Sequence, residues 1–262
     1  MDLKEKKLFL LDMDGTIYID NALFPNVPEF LQYIKNSGGK YIFLTNNSSK
    51  SVQKYIEKLK KIGIDSSKED FVTSVDATVL YLKRKSYKKI YVLGTKSFAG
   101  QLQSFGLPIT TALQSGIDCL CMGYDTELTF QKLEDACKLL NEDVAYVATN
   151  PDLVCPTEYG YAPDCGSVTQ MLFNASKKMP YVIGKPKPDM VYYAMEKTGF
   201  NKDETVIIGD RLYTDIACGK NSGIASIFVL SGEGTRQDIS KYNITPDYIY
   251  ENISELYKDL TR

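Results

Sequence analysis

Short unbroken apolar runs alternate with amphipathic stretches along most of this chain. Leu8-Phe9-Leu10-Leu11 and Tyr41-Ile42-Phe43-Leu44 read as strands buried on both faces, the pattern of a parallel sheet covered by helices. Between them Phe30, Leu31, Tyr33 and Ile34 fall at helical spacing and Ser37-Gly38-Gly39 ends the run, which predicts one βαβ unit. Val52, Tyr55, Ile56, Leu59 and Ile62 then repeat with the helical period until Gly63, and Ser49 or Ser51 stands where the cap is needed. Far downstream, Pro188 and Asp189 open a helix carrying Val191, Ala194 and Met195, and Thr205–Ile208 and Ser226–Leu230 read as strands. The two ends of the chain together predict an α/β fold with one doubly wound, mostly parallel, Rossmann-like sheet.

The middle section carries strands of its own: Lys89–Leu93 before Gly94, Asp118–Met122 before Gly123, and Ala145–Ala148 before Thr149-Asn150-Pro151-Asp152. A helix is predicted over Phe130–Leu140, with Phe130, Leu133, Cys137 and Leu140 packing the local core. The expected organisation is a discontinuous core, 1–83 and 180–262, with an α/β domain inserted at 84–179. Gly94-Thr95-Lys96-Ser97 superficially suggests a phosphate loop, but the G-x-x-x-x-G-K-[ST] spacing is missing, and the segment reads as a surface turn.

Composition narrows the chemistry. With 262 residues, 44% hydrophobic and 24% charged, the chain is long enough for one large domain or two modest ones. A net charge of −2 with scattered Lys and Arg offers no electrostatic footprint for nucleic acid. No run approaches the ~18 apolar residues of a membrane span, and Met1–Lys7 is mostly charged, so a cytoplasmic location is expected. The six cysteines form no CxxC pair, and reduced thiols are expected. Cys119 and Cys121 share a strand face, but zinc would need two more ligands, and the chain has no histidine. That absence also excludes Ser-His-Asp and Cys-His triads and every His-ligated metal centre.

What remains is chemistry on carboxylates, hydroxyls, amides and lysines. Asp12 and Asp14 of Asp12-Met13-Asp14-Gly15-Thr16 directly follow the first buried strand, at the C-terminal mouth where open α/β sheets bind ligands. One carboxylate can attack while the other manages protons. An acidic turn is the plainer reading. A calcium loop fails on counting: Gly15 at position six would put Leu10 at position one and Asn21 at position twelve. Three further segments repeat the design of a buried strand or turn followed by polar groups. Thr45-Asn46-Asn47-Ser48-Ser49 could cradle a phosphate or simply cap a helix. Lys185 is set between Gly184 and Pro186, and is otherwise a solvated lysine. Asp210, after Ile207-Ile208-Gly209, and Asp215 add two carboxylates for a metal.

These four segments, in this order, resemble the signature motifs of the haloacid-dehalogenase (HAD) superfamily phosphatases, in the NagD-like branch that includes the p-nitrophenyl phosphatase-like and pyridoxal phosphate phosphatases. Asp12–Thr16 is similar to the first motif, Thr45 with Asn46 and Asn47 to the second, Lys185 to the third, and Gly209–Asp215 to the fourth. The 140 positions from Thr45 to Lys185 match the family's large inserted cap. The resemblance implies a Mg2+-dependent phosphomonoesterase working through an aspartyl-phosphate. Asp12 would be the nucleophile and Asp14 the general acid and base. Mg2+ would be held by Asp12, the Asp14 carbonyl, Asp210 and, through water, Asp215. Asp14, Thr45, Asn46, Asn47 and Lys185 would meet the phosphate and its ester. The cap would exclude water and choose the leaving group, with Thr149–Asp152 and Tyr159–Gly166 as its candidate loops, although loop geometry also explains their polarity. The tyrosines could stack on a ring, or merely pack.

The implied partner is a small phosphorylated metabolite such as a sugar phosphate or nucleoside monophosphate, with no nucleic acid and no membrane. NagD-like relatives also imply a homodimer paired through the cap. Other readings are a phosphotransferase or mutase, a receiver-like module, and a non-catalytic phosphate-binding protein. Asp14 argues against a receiver, which has no acid/base two residues after its phospho-accepting aspartate.

Overall fold

The N-terminal apolar tetrad forms strand β1 (Leu8–Leu11), buried along its whole length. In the computed structural model, which describes residues 3–48, 51–157 and 160–262, there follow a short hairpin of β2 (Tyr18–Ile19) and β3 (Ala22–Leu23), helix α1 (Val27–Asn36), β4 (Lys40–Thr45), α2 (Val52–Lys61) and β5 (Phe71–Thr73). The middle of the chain holds α3 (Ser74–Lys85), β6 (Ile90–Leu93), α4 (Lys96–Ser104), β7 (Ile109–Thr110), β8 (Cys119–Met122), α5 (Phe130–Leu140), β9 (Ala145–Ala148), a hairpin of β10 (Val154–Thr157) and β11 (Gly160–Pro163), α6 (Cys165–Ser176) and β12 (Tyr181–Val182). It closes with α7 (Asp189–Thr198), β13 (Thr205–Gly209), a wide π-type turn at Leu212–Ile216 leading into α8 (Ala217–Ser222), β14 (Ala225–Val229), α9 (Arg236–Tyr242), β15 (Tyr248–Tyr250) and α10 (Ile253–Leu260).

Two units divide these elements. The first comprises Met1–Thr45, Ser51–Val72 and Lys185–Arg262, and its six-stranded sheet runs β15-β14-β13-β1-β4-β5. The four pairs from β15 to β4 are parallel. Because side chains alternate across a strand, Phe9, Leu11, Tyr41, Phe43, Val206 and Ile208 form one core with Phe30, Ile34, Leu59, Ile253 and Leu256 of the helices. The opposite face, with Leu8 and Leu10, lies on the α7 side, where Met190, Val191 and Ala194 are fully buried. A sheet covered on both faces has to be apolar throughout. In register, Leu11 is opposite Ile208 on one side and Phe43 on the other, so three strands end at nearly the same level.

The second unit, Asn46–Lys50 and Thr73–Gly184, has a parallel sheet in the order β12-β9-β8-β6-β7. Its core gathers Leu93, Leu120, Met122, Leu139, Leu140, Ala148 and Leu172. The junctions differ from the expected 83/84 and 179/180. Helix α3 belongs wholly to the second unit: Thr73 caps it in a reciprocal box with Asp76, and Ser74 Oγ donates to Asn46 O at 2.8 Å. An amphipathic period shows that a helix covers a sheet, not which one.

Two local expectations change. Asp135, Ala136, Leu139 and Leu140 form the buried stripe of α5, and Leu133 and Cys137 pack partly buried against the same core as expected, but Phe130 is 76% exposed. At about 100° per residue, Phe130 lies well round the helix from that stripe. Gly94-Thr95-Lys96-Ser97 is a strand-to-helix junction, not a surface turn: Gly94 and Thr95 are buried, and Thr95 Oγ1 caps α4 by accepting from Phe98 N. Ser51 occupies the cap position of α2 without a side-chain hydrogen bond; Ser49 lies outside the described residues. Among the described residues, no helix is long and apolar enough to cross a membrane.

Candidate active site

Asp12 extends the ladder of β1 by donating its N–H to Ile208 O at 2.9 Å, so its carboxylate emerges where β1 and β13 end together. The first turn beyond β13 supplies Asp210 and Asp215. Asp12, Asp210 and Asp215 each place a carboxylate oxygen within 4.8 Å of the others, the one such group among the described residues. Lys185 enters the same cluster from the start of the unit's last segment. Its ammonium donates to Asp12 Oδ1 at 2.5 Å, Asp215 Oδ1 at 2.6 Å and Leu44 O at 3.4 Å. The lysine that sequence alone left open to solvent is therefore 3% exposed and points into the acids.

The electrostatics follow from three carboxylates and one lysine in little space. Burial pushes Asp12 well above the usual carboxylate range; Lys185 opposes this, and Asp215 and Asp210 add to it. Asp210 is pushed up to about 6, by burial first and then by Asp215, against the Glu233 N–H and Arg211. For Lys185 burial works the other way, but Asp12 and Asp215 outweigh it and its pKa rises. The lysine therefore stays charged, and full ionisation of the three acids would leave a negative excess that it does not balance.

A cation fits that excess. Asp210 Oδ2 accepts from Glu233 N at 2.7 Å, while Asp210 Oδ1 is buried and accepts no hydrogen bond among the described residues. An orphaned carboxylate oxygen is costly, and an all-oxygen set of carboxylates is the donor chemistry of Mg2+. Gly15 lies at φ +83°, and a Cβ there would meet the Asp210 carboxylate, so only glycine brings the first motif this close.

A clamp that the sequence reading missed holds Asp210 from the other side. The segment Ser231-Gly232-Glu233-Gly234 follows β14. Gly234 N donates to Asp210 O at 3.0 Å, Ser231 Oγ donates to Gly15 O at 2.7 Å, and a Cβ on Gly232 would fall on the Asp210 carboxylate. Its signal was present: a Gly-rich polar run directly after a buried strand, the same design as the other segments. Arg211 Nε lies 2.8 Å from Glu233 Oε2, an ion pair by distance but off line for a hydrogen bond.

Asp14 is separate in character, its side chain 66% exposed. Tyr18 Oη donates to Asp14 Oδ2 at 3.2 Å, and Lys58 Nζ lies 3.5 Å from Asp14 Oδ1. Thr45 ends β4, with its Oγ1 3.5 Å from Tyr55 Oη. Asn46 and Asn47, expected to join Thr45 in one cradle, belong to the second unit. Asn46 Nδ2 donates there to Asp152 Oδ2 at 3.1 Å, and Asn47 is half-buried.

Within that unit Thr149-Asn150 is no exposed loop: both residues are fully buried. Asn150 Nδ2 donates to Asp152 and Asp164, and Thr149 Oγ1 donates to Asn150 Oδ1. Of the other candidate loop, Gly160–Pro163 is strand β11, Asp164 caps α6, and Tyr159 lies outside the described residues. Cys119, Cys121, Cys137, Cys165 and Cys218 are free thiols. Burial pushes Cys119 up to about 12 and Cys121 well above its ordinary value, as expected of packing groups rather than nucleophiles.

Known proteins resemble this chain over most of its length. Residues 9–108 match the family model described as haloacid dehalogenase-like hydrolase, and residues 182–256 match a second, HAD-hydrolase-like model. An acid sugar phosphatase of Staphylococcus aureus is 31% identical over 261 residues, covering 99% of this chain and 100% of the relative. The crystal structure of a 4-nitrophenylphosphatase from Thermotoga maritima superposes with a TM-score of 0.90 at 38% identity, covering 98% of each chain. A glycerol phosphate phosphatase from Mycobacterium tuberculosis, in complex with magnesium, gives 0.88 at 26% identity, covering 98% of this chain and 79% of that one.

Proposed function

Because this chain belongs to the haloacid dehalogenase-like hydrolase family, in the branch of the p-nitrophenyl phosphatase-like enzymes, we propose that it hydrolyses small phosphate monoesters with Mg2+ and through an aspartyl-phosphate on Asp12. The observation that carries this reading is Lys185, buried and bonded to Asp12, inside a cluster of three carboxylates. A nucleophile of that kind needs a fixed cation beside it and positive charge where the phosphoryl oxygens gather.

In the first half-reaction Asp12 attacks phosphorus, forming the acyl-phosphate O–P bond as the ester O–P bond breaks. Asp14 gives its proton to the departing alkoxide. In the second, Asp14 takes a proton from water as that water attacks the same phosphorus, releasing inorganic phosphate and restoring Asp12. Lys185 holds Asp12 in place and meets the transferring phosphoryl group, and the Thr45 hydroxyl donates to one of its oxygens. Asp12 and Asp210, the Asp14 carbonyl and, through water, Asp215 would hold Mg2+. When bound, the ion offsets the charge of the acids and polarises the phosphoryl group. The orphaned Asp210 Oδ1 supports that assignment.

The substrate is assigned as a compact ester: a sugar phosphate, glycerol phosphate or nucleoside monophosphate, with p-nitrophenyl phosphate as a permissive surrogate. The names of the relatives support this class, and a chain of net charge −2 offers a polyanion little attraction. The cytoplasm is the compartment assigned with such substrates. The test is a phosphate-release screen of phosphorylated metabolites with Mg2+, using Asp12→Asn as the blank. Turnover confined to the wild type is expected. Hits limited to phosphopeptides or nucleic-acid ends would sink the small-ester reading, and no compound above the blank would sink the enzyme.

A further inference from the structure

Asp14 stands on no rigid element of its own. It follows β1 by three residues, and two thirds of its side chain is open to solvent. An exposed carboxylate of this kind ordinarily samples several rotamers, yet proton transfer requires it to stay within hydrogen-bond reach of one oxygen of the substrate.

Two side chains remove that freedom. Tyr18 is fully buried on β2, and Gly15 N donates back to Tyr18 O at 2.8 Å, which closes the turn between Asp14 and the tyrosine. Its hydroxyl donates to Asp14 Oδ2. Lys58 reaches over from α2, a helix anchored in the core by Tyr55 and Leu59. Its ammonium lies 3.7 Å from the Tyr18 ring centroid and 3.5 Å from Asp14 Oδ1. Each carboxylate oxygen thus has a separate donor, and the two donors are stacked on each other by a cation–π contact.

Fold stability does not account for this arrangement. Exposed ion pairs add little to stability, and the lysine approaches an exposed acid. What the arrangement does fix is direction. We infer that Lys58 and Tyr18 are positioning residues for the proton-transferring carboxylate Asp14. Neither touches the phosphoryl group; both act by holding Asp14 where the leaving oxygen departs. The inference rests on the proposed phosphatase chemistry and adds two residues, from β2 and α2, that no motif marks.

Its test is a leaving-group comparison. The quantity kcat/KM reports steps through departure of the alcohol, where Asp14 acts as acid; an alkoxide needs its proton, whereas p-nitrophenolate leaves without one. In Lys58→Met, kcat/KM for glycerol phosphate should fall about tenfold more than for p-nitrophenyl phosphate, a part of the ~10²–10⁴ of general acid catalysis. Lys58→Arg should restore most of that difference, since it keeps the charge and the stacking. Tyr18→Phe, which retains the buried ring, should shift the ratio in the same direction. Equal losses on both esters, or no loss, would overturn the inference while leaving the phosphatase reading intact. Wild-type protein that releases phosphate from neither ester would mean that the phosphatase reading itself has failed, and this inference with it.

Discussion

Lys185 donates to Asp215 Oδ1 at 2.6 Å across 30 positions of sequence, and both side chains are almost wholly buried. Asp215 is thus an anchor for Lys185 inside the carboxylate cluster. Removing one member of a buried pair leaves the other charge uncompensated, at a cost of about 3–5 kcal/mol. Lys185→Met should abolish turnover and lower stability by roughly that amount in chelator, with part of the deficit recovered on adding Mg2+. Urea unfolding with and without the ion measures both; a variant as stable as wild type in chelator would show that the pair is not structural.

Divalent ion should matter to both activity and stability. Turnover is expected to vanish in chelator, return with Mg2+ and fall when Ca2+ competes, because the larger, looser calcium shell displaces the nucleophile. Saturation to a hundred times Kd should stabilise the fold by about 2.7 kcal/mol. Asp210, pushed up to about 6, must lose its proton to ligate, so Mg2+ affinity should weaken as the pH falls through that value. Titration calorimetry at pH 5 and pH 7.5 checks the sign, and equal affinities would contradict it.

Gly232 and Gly100 should respond oppositely to alanine. A Cβ at Gly232 would fall on the Asp210 carboxylate, so Gly232→Ala should raise the Mg2+ concentration needed for half-maximal turnover. Gly100 lies inside α4 with nothing within 4 Å of its would-be Cβ, and Gly100→Ala should stabilise the protein by about 0.5–1 kcal/mol. Thermal melts and metal titrations of the two variants separate these effects.

Asp164 gives the second unit a pH signature. Burial pushes it up to about 6, against the Cys165 N–H and Asn150, with Asp152 adding to the rise. The folded protein thus holds this proton more tightly than the unfolded chain does. The stabilisation is complete below the ordinary value of 3.8 and lost as pH rises through about 6. At 1.36 kcal/mol per pH unit, the rise from 3.8 to about 6 amounts to about 3 kcal/mol at most. Asp164→Asn, which keeps an acceptor for Cys165 N, should flatten the dependence between pH 4 and pH 6; an unchanged slope would assign it elsewhere.

Much of this was legible in the chain because its signals are local. The tetrads Leu8–Leu11 and Tyr41–Leu44 are apolar at every position since both faces of a parallel sheet are covered. Asp12, Thr45 and Asp210 each stand just beyond or at the end of such a strand, and the strands end together. Period and turn chemistry were less informative for α3, whose amphipathic pattern suits either sheet, and for Phe130, which continues the apolar spacing yet faces solvent.

The sequence by itself determined which chemistry is open to this protein: no histidine, four ordered segments of acids, hydroxyl and lysine, and strands to carry them. Tertiary structure alone decided the partners. Lys185 could have been solvated, and only the meeting of β1, β4 and the turn after β13 buries it between Asp12 and Asp215. Asn46 follows Thr45 in sequence but falls in the other unit, where its amide donates to Asp152. Tyr18 and Lys58 converge on Asp14 from positions 40 apart (58 − 18). The physical reason is range: strand and helix patterns arise from neighbours along the backbone, whereas a carboxylate's charge and direction depend on whatever packing brings within a few ångströms of it.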